Sequence, residues 1–222
     1  MMRLNRFVAT ASGISRRAAD RAISDGHVRV NGELCELGQQ VGPDDVVTLD
    51  DKPLQISGYR YIAFYKPVGY VTSRLQQGTA HTIYALLPSD LATLKPVGRL
   101  DKDSSGLLIL TDNGIWANEL THPRYGKLKR YQVRLNRPLT ADDSNAIKRG
   151  IELEDGPSKL ALDGNDRDWT IEMSEGRNRQ IRRTFEKLGY RVEKLERFSF
   201  GKLGLVGLKI GKWRDINPED VL

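Results

Sequence analysis

The chain has 222 residues, 39% hydrophobic and 29% charged, which suits one large domain or a small one joined to a larger one and excludes a disordered or fibrous polymer. Thirty-five Lys and Arg against 29 Asp and Glu give a formal charge of +6 and favour an anionic partner. No apolar run approaches the roughly 18 residues of a membrane helix, Met1-Met2-Arg3 leads into an amphipathic pattern with no signal-peptide core, and the single Cys35 rules out an internal disulfide or a paired-cysteine zinc site, so a reducing cytoplasm is expected.

Leu4, Phe7, Val8 and Ala11 follow i, i+3, i+4, i+7 and predict a short amphipathic helix that stops near Gly13. Ser15 can cap a second helix with the buried stripe Ala19, Ala22 and Ile23, an end at Gly26, and Arg17 and Arg21 on its outer side. Val28-Arg29-Val30, the turn pair Asn31-Gly32 and the run Val46 to Leu49 predict a small hairpin-rich sheet. Residues 1–32 carry six arginines against Asp20 and Asp25, so this module has a basic face. The stretch from Lys52 to Gly58, with Pro53 and Ser57, is the expected boundary and gives domains at 1–57 and 58–222.

Beyond it, strands are expected at Tyr59–Tyr65, Gly106–Leu110, Arg130–Leu135, Trp169–Met173 and Arg191–Phe198, with helices near 114–121, 140–149 and 178–188 and a last turn at Asn217-Pro218. Thr140 with Asp143 starts the second of these helices and Gly150 ends it. Regular crossover helices are missing, so the fold class is α+β: a small helix-hairpin module, then a larger mixed, mostly antiparallel sheet flanked by helices. Basic charge returns at 122–137, with six basic residues and no acid, and at 174–202, with nine against four. Three basic patches suit a long polyanion better than a small phosphate.

The stretch Gly98-Arg99-Leu100-Asp101-Lys102-Asp103-Ser104-Ser105-Gly106 sets a polar, Gly-bounded loop directly before a buried strand, where a carboxylate can be held rigidly yet face a cleft. Asp101, Asp103, Ser105, Gly106 and Asp112 also fall on positions of a calcium-loop template. No amphipathic helix leads in, and Gly106–Leu110 reads as a strand, so calcium is set aside. In Glu175-Gly176-Arg177-Asn178-Arg179-Gln180-Ile181-Arg182-Arg183-Thr184-Phe185, the stripe Ile181, Phe185 and Leu188 puts Arg182 on the apolar border, with Arg179 and Arg183 pointing away. A half-buried arginine requires a carboxylate partner, whereas a solvated basic helix would need none.

These two stretches, with Gly-Leu-Leu after the loop and Lys129-Arg130-Tyr131 at a strand start, resemble the RsuA/RluB/RluF group of bacterial rRNA pseudouridine synthases. The opening helix pair and hairpin resemble the RNA-binding module named after ribosomal small-subunit protein four. The resemblance implies Asp101 as the essential aspartate and Arg182 as its ion-pair partner, since an arginine beside such a carboxylate favours the charged form that attack on a ribose carbon needs. It implies Tyr131 stacked on the target base, Leu195 packed against that base, and Arg99 filling the gap left when the uridine leaves its stack. Arg16, Arg17, Arg21, Arg179 and Arg183 then become RNA contacts. The expected enzyme is a monomeric isomerase acting on ribosomal RNA, free of metal, cofactor and membrane.

Other readings stay open on the residues alone. For Tyr131 the plain alternative is a core strand aromatic, and for Leu195 core packing is the simpler role. Lys66-Pro67-Val68-Gly69 belongs to the resemblance, which implies that it shapes the cleft, but reads, side chain by side chain, as a turn. His27, His81 and His122 lack metal-ligand spacing, and Cys35 reads as a small buried residue. A non-catalytic RNA-binding protein would use Asp101 and Arg182 as a structural ion pair. A glycoside hydrolase would use Asp101 and Asp103 as two carboxylates, against which three basic patches argue. Thr121-His122-Pro123 and the run from Ile151 to Pro157 look more like the RluB branch and favour large-subunit RNA, with small-subunit RNA or tRNA as alternatives.

Overall fold

The computed structural model describes residues 1–56, 58–75 and 78–222; Ser57, within the expected boundary, lies outside the described residues. The chain divides into two compact units, Met1–Arg60 and Tyr61–Leu222.

The small unit opens with β1 (Met2–Arg3), α1 (Leu4–Ser12) and α2 (Arg16–Ser24). Helix α1 ends where Gly13 takes a left-handed φ of 76°, and the Ser15 hydroxyl caps α2 by accepting from the Ala18 amide at 3.1 Å. Strands β2 (Val28–Val30), β3 (Glu33–Leu34), β4 (Gln40–Val41), β5 (Val47–Leu49) and β6 (Lys52–Pro53) follow, with β3-β2-β5-β6 forming one sheet and β1 pairing with β4. Asn31 and Gly32 both carry positive φ, the requirement of the tight turn joining β2 to β3. Leu4, Val8, Ala19, Ile23, Val28 and Val47 form the core, while Arg16, Arg17 and Arg21 are exposed.

The large unit runs β7 (Tyr61–Lys66), β8 (Lys95–Pro96), β9 (Ser105–Thr111), α3 (Gly114–Thr121), β10 (Lys129–Leu135) and α4 (Ala141–Arg149). It continues with β11 (Ile151–Leu153), β12 (Gly156–Ser158), β13 (Ala161–Asn165), β14 (Asp168–Met173), α5 (Gln180–Glu186), β15 (Val192–Phe200), β16 (Leu203–Gly204) and β17 (Trp213–Asp215). Its main sheet has the order β13-β14-β10-β15-β9-β7-β17, with β8 also on β9 and β16 on β15. Every pairing is antiparallel except β15 with β9. The sheet is thus mixed and mostly antiparallel, as the sequence predicts.

Strand β9 is buried along its whole length, and its alternating residues feed two cores. Leu108 and Leu110 join Ile62, Phe64, Val133, Ile171 and Phe185 on one face, whereas Leu107 and Ile109 join Trp116, Leu120 and Phe200 on the other. At the parallel step Gly106 lies opposite Arg197 with a φ of 120°. A Cβ there would fall 2.3 Å from the Arg197 carbonyl oxygen, so only glycine lets the two backbones meet. Strands β8, β11, β12, β13, β16 and β17 were not among the sequence expectations. They are short or marginal; β13, for example, buries only Leu162.

Candidate active site

Asp101 stands in the loop between β8 and β9, and that loop is held from below by its backbone. Lys66, at the end of β7, has no exposed surface, and its ammonium donates to the carbonyls of Ser104 at 2.7 Å, Asp101 at 2.9 Å and Pro67 at 3.0 Å. Thr72 Oγ1 donates to the Leu100 carbonyl at 2.7 Å and accepts from its amide at 3.2 Å, and the Gly69 amide donates to the Lys102 carbonyl at 2.7 Å. Buried Leu100 anchors the same loop in the core. The Asp101 side chain stays 32% exposed, so its carboxylate is accessible while its main chain is fixed. Burial pulls the Lys66 pKa down to about 8, against the opposing pull of the Asp101 and Asp103 charges. The turn reading of Lys66 to Gly69 is therefore too modest: Lys66 shapes the loop that bears Asp101.

Asp101 opens into a cleft of about 400 Å³ that Arg99, Tyr131, Arg179, Leu195 and Arg197 also line. Tyr131 comes from β10 and Leu195 from β15, each less than a tenth exposed, and they give the cleft an aromatic and an aliphatic wall. Arg99 is exposed beside them.

The arginines of α5 differ from the expectation. Arg182 is indeed half-buried, with a side chain 10% exposed, but its carboxylate is Asp103 and not Asp101. Its Nε lies 3.2 Å from Asp103 Oδ2, without the alignment of a hydrogen bond, and its terminal nitrogens donate to the carbonyls of Asp103 and Val192, both at 2.8 Å. Arg179, expected to point away, caps α5 with a left-handed φ of 47° and forks onto Asp103 at 3.0 and 3.1 Å. The same guanidinium reaches Asp101 Oδ2 at 3.8 Å. The physical reason is the tight turn at Asp101 to Ser104, which presents Asp103, two residues on, to the helix. Burial alone would raise the Asp103 pKa, but the Arg179 hydrogen bonds and the charges of Arg182 and Arg179 outweigh it and hold the carboxyl below the usual range.

Arg183, expected as an RNA contact, forks onto Asp155 at 3.0 and 2.8 Å. Arg177 donates to the carbonyls of Asp155, Gly156 and Pro157 at 2.7 to 2.9 Å, so the β11–β12 turn clasps the segment leading into α5. Sequence reasoning named Asp103 and Lys129 without reading the pairing of Asp103 with α5 or the place of Lys129 in the cleft, and it did not read Asp155 as a partner of Arg183; the dense acids and bases of the motifs were the available signal. Among the described residues no group of three or more His, Cys, Asp or Glu side chains converges as a metal site, and no helix is long and apolar enough to cross a membrane.

A rigidly backed carboxylate beside a guanidinium, an aromatic ring and an aliphatic wall can receive a flat base and act on the sugar attached to it. The RNA pseudouridylate synthase family matches residues 60–187, and the S4 domain family matches residues 2–47. The chain is 37% identical to an uncharacterized RNA pseudouridine synthase of Aquifex aeolicus, over 99% of this chain and 92% of the relative. It is 35% identical to ribosomal large subunit pseudouridine synthase B of Bacillus subtilis, over 100% and 94%, and 33% identical to the dual-specificity RNA pseudouridine synthase RluF of Escherichia coli, over 100% and 77%. A crystal structure of a pseudouridylate synthase superposes over 100% of this chain and 98% of its own at a TM-score of 0.71 with 33% identity. The chain belongs to the RNA pseudouridylate synthase family, within its RsuA/RluB/RluF group, and carries an S4 domain at its start. It is accordingly an isomerase, an RNA pseudouridine synthase.

Proposed function

We propose that this enzyme converts a uridine of ribosomal RNA, in the large subunit, to pseudouridine, with Asp101 as the catalytic group. The observation that carries this reading is the partly exposed Asp101 carboxylate on an immobilised backbone, in one cleft with Tyr131 and Leu195. The large-subunit target is supported by the RluB-like stretches of the sequence and by the Bacillus subtilis relative; a small-subunit enzyme of Vibrio vulnificus is 31% identical.

In this reading the flipped uracil lies between Tyr131 and Leu195, and Arg99 occupies the stack it leaves. Asp101 acts on the ribose, as nucleophile at C1′ or as base toward a ribose proton. On the nucleophile route the Asp101 oxygen–C1′ bond forms as C1′–N1 breaks and is broken again as C1′–C5 forms. On the base route the ribose proton that Asp101 removes is returned. In both, C1′–N1 breaks, the uracil turns, C1′–C5 forms, the C5 proton leaves and N1 gains one. No electron is gained or lost, so the balance calls for no cofactor. Arg182 serves through Asp103, fixing the loop, while Arg179 lies nearer the reacting carboxylate. Residues 1–57 supply a docking domain through Arg16, Arg17 and Arg21, residues 58–222 the synthase domain, and the enzyme works as a cytoplasmic monomer.

The test is to map pseudouridines in total RNA from cells with and without the protein. Loss of one or a few large-subunit positions is expected; loss confined to small-subunit RNA or tRNA would overturn the target. With purified enzyme, Asp101→Asn should abolish product while RNA affinity persists, and unchanged turnover would remove Asp101 from the chemistry.

A further inference from the structure

Lys129 and Arg197 line the cleft side by side, outside the Asp103 network. Arg197, on β15, is 2% exposed; its Nε donates to the Leu107 carbonyl at 2.7 Å, and its Nη2 is buried with no hydrogen-bond partner. Lys129, at the start of β10, donates from Nζ to the Ser174 carbonyl at 2.8 Å. Both hold to the ring of Phe200, with the guanidinium carbon 5.4 Å and the ammonium 5.5 Å from its centroid. Among the described residues neither has a carboxylate within ion-pair distance.

Two neighbouring cations, Arg197 buried and Lys129 half-buried, with no carboxylate in ion-pair contact, are costly to hold unless an anion arrives to pair with them. The strain registers on Lys129, whose pKa is drawn down to about 8, first by burial and then by the Arg197 charge, with Glu175 pulling the other way. Glu175 is a shared partner, set against Arg177 at 3.7 Å and accepting from Gln180, and Asp101 lies against Arg179 at 3.8 Å, so the pair is only partly compensated.

We propose that Lys129 and Arg197 form a subsite for one phosphodiester group of the RNA strand, adjoining the nucleotide whose base enters the cleft. This assignment rests on the RNA-modifying reading above. It gives the cleft a second fixed point: Tyr131 and Leu195 hold the base, and the two cations hold the backbone beside it, so the sugar is presented to Asp101 at a set distance. A tetrahedral phosphate suits the pair because a guanidinium and an ammonium can each donate to a different oxygen. Pairing also returns Lys129 to a fully charged state, so binding above pH 8 takes up a proton.

The test uses a short RNA bearing the target uridine, with a neutral methylphosphonate placed at one flanking linkage at a time, and measures affinity for wild type and Lys129→Met. One linkage should cost wild type about tenfold in affinity and cost Lys129→Met nothing further, as for the loss of one charge-assisted contact. Wild-type affinity should weaken between pH 8 and 10, and the variant should lose that dependence. Equal penalties in both proteins at every linkage would overturn the subsite while leaving the isomerase intact. A flat scan on wild type alone would do the same, without reliance on the variant's folding. Competition by inorganic phosphate without any linkage effect would make this a free-anion site and overturn the RNA assignment. Failure of wild type to bind the RNA at all would overturn the RNA reading itself.

Discussion

Asp103 accepts from Arg179 and faces Arg182, so it anchors two guanidinium groups, while Asp101 meets Arg179 at 3.8 Å. Replacing it by Asn should free both arginines and let Arg179 swing toward Asp101, lowering turnover by roughly ten- to a hundredfold, the range seen when a positioning shell is lost. The sign with pH follows from its depressed native pKa. Its stabilisation is fully present above the unfolded value of about 4 and is lost as pH falls through the lower native value. The stability gap between wild type and Asp103→Asn, read from urea unfolding, should therefore be open at neutral pH and close in acid; a gap that widens in acid contradicts the pairing. Arg182's half-burial was legible because helical spacing of 100° sets the face a residue takes. Its partner was not, because Asp101 and Asp103 are equally near in sequence and only the turn between them decides which faces the helix. The burial of Lys66 was hidden for another reason: a lysine ending a strand reads as solvated, and nothing local reveals that the Asp101 and Ser104 carbonyls of a distant loop converge on it beside that of Pro67.

Among the elements, β9 shows which patterns a sequence exposes. Its apolar run announces a buried strand, as do the alternations in β7, β10, β14 and β15, and the three longer helices of the large unit carry caps or periodic stripes. The parallel step onto β15 leaves no such mark, since its partner lies some ninety residues on and its one signal is a glycine inside a strand. Gly106→Ala would drive a methyl group into the Arg197 main chain at a left-handed φ, and should lower stability by about 3 kcal/mol in urea or thermal unfolding. A variant as stable as wild type would mean the strands can part without cost. The β11–β12 turn escaped notice because its strands are three residues each, too short for periodicity, although its Asp155 clasps Arg177 and Arg183.

For the whole molecule the relevant quantity is the division of charge. Arg16, Arg17 and Arg21 lie exposed on the small unit, whereas the residues proposed for the chemistry all belong to the large one. Neutralising the three together should weaken binding to many RNA sequences alike and reduce the salt slope by about two to three, because phosphate contacts release counterions and ignore sequence. Turnover on a short RNA at saturation should hardly change. Lost turnover at saturation with affinity intact would show that the small unit is not a docking device.

The contacts that finish the cleft span long stretches of chain: Lys66 to Asp101, Asp103 to Arg179 and Arg182, and Leu107 to Arg197. Each closes a loop of tens of residues before any reward is returned, a cost that slows assembly. The small unit, by contrast, draws its core from Leu4 to Val47. During synthesis the first unit has all its residues while the second still lacks β15, and with it the Leu195 wall and the Arg197 guanidinium. A chain interrupted before Val192 thus carries Arg16, Arg17 and Arg21 but an incomplete cleft, and under the docking role proposed for the small unit it would compete for RNA without modifying it.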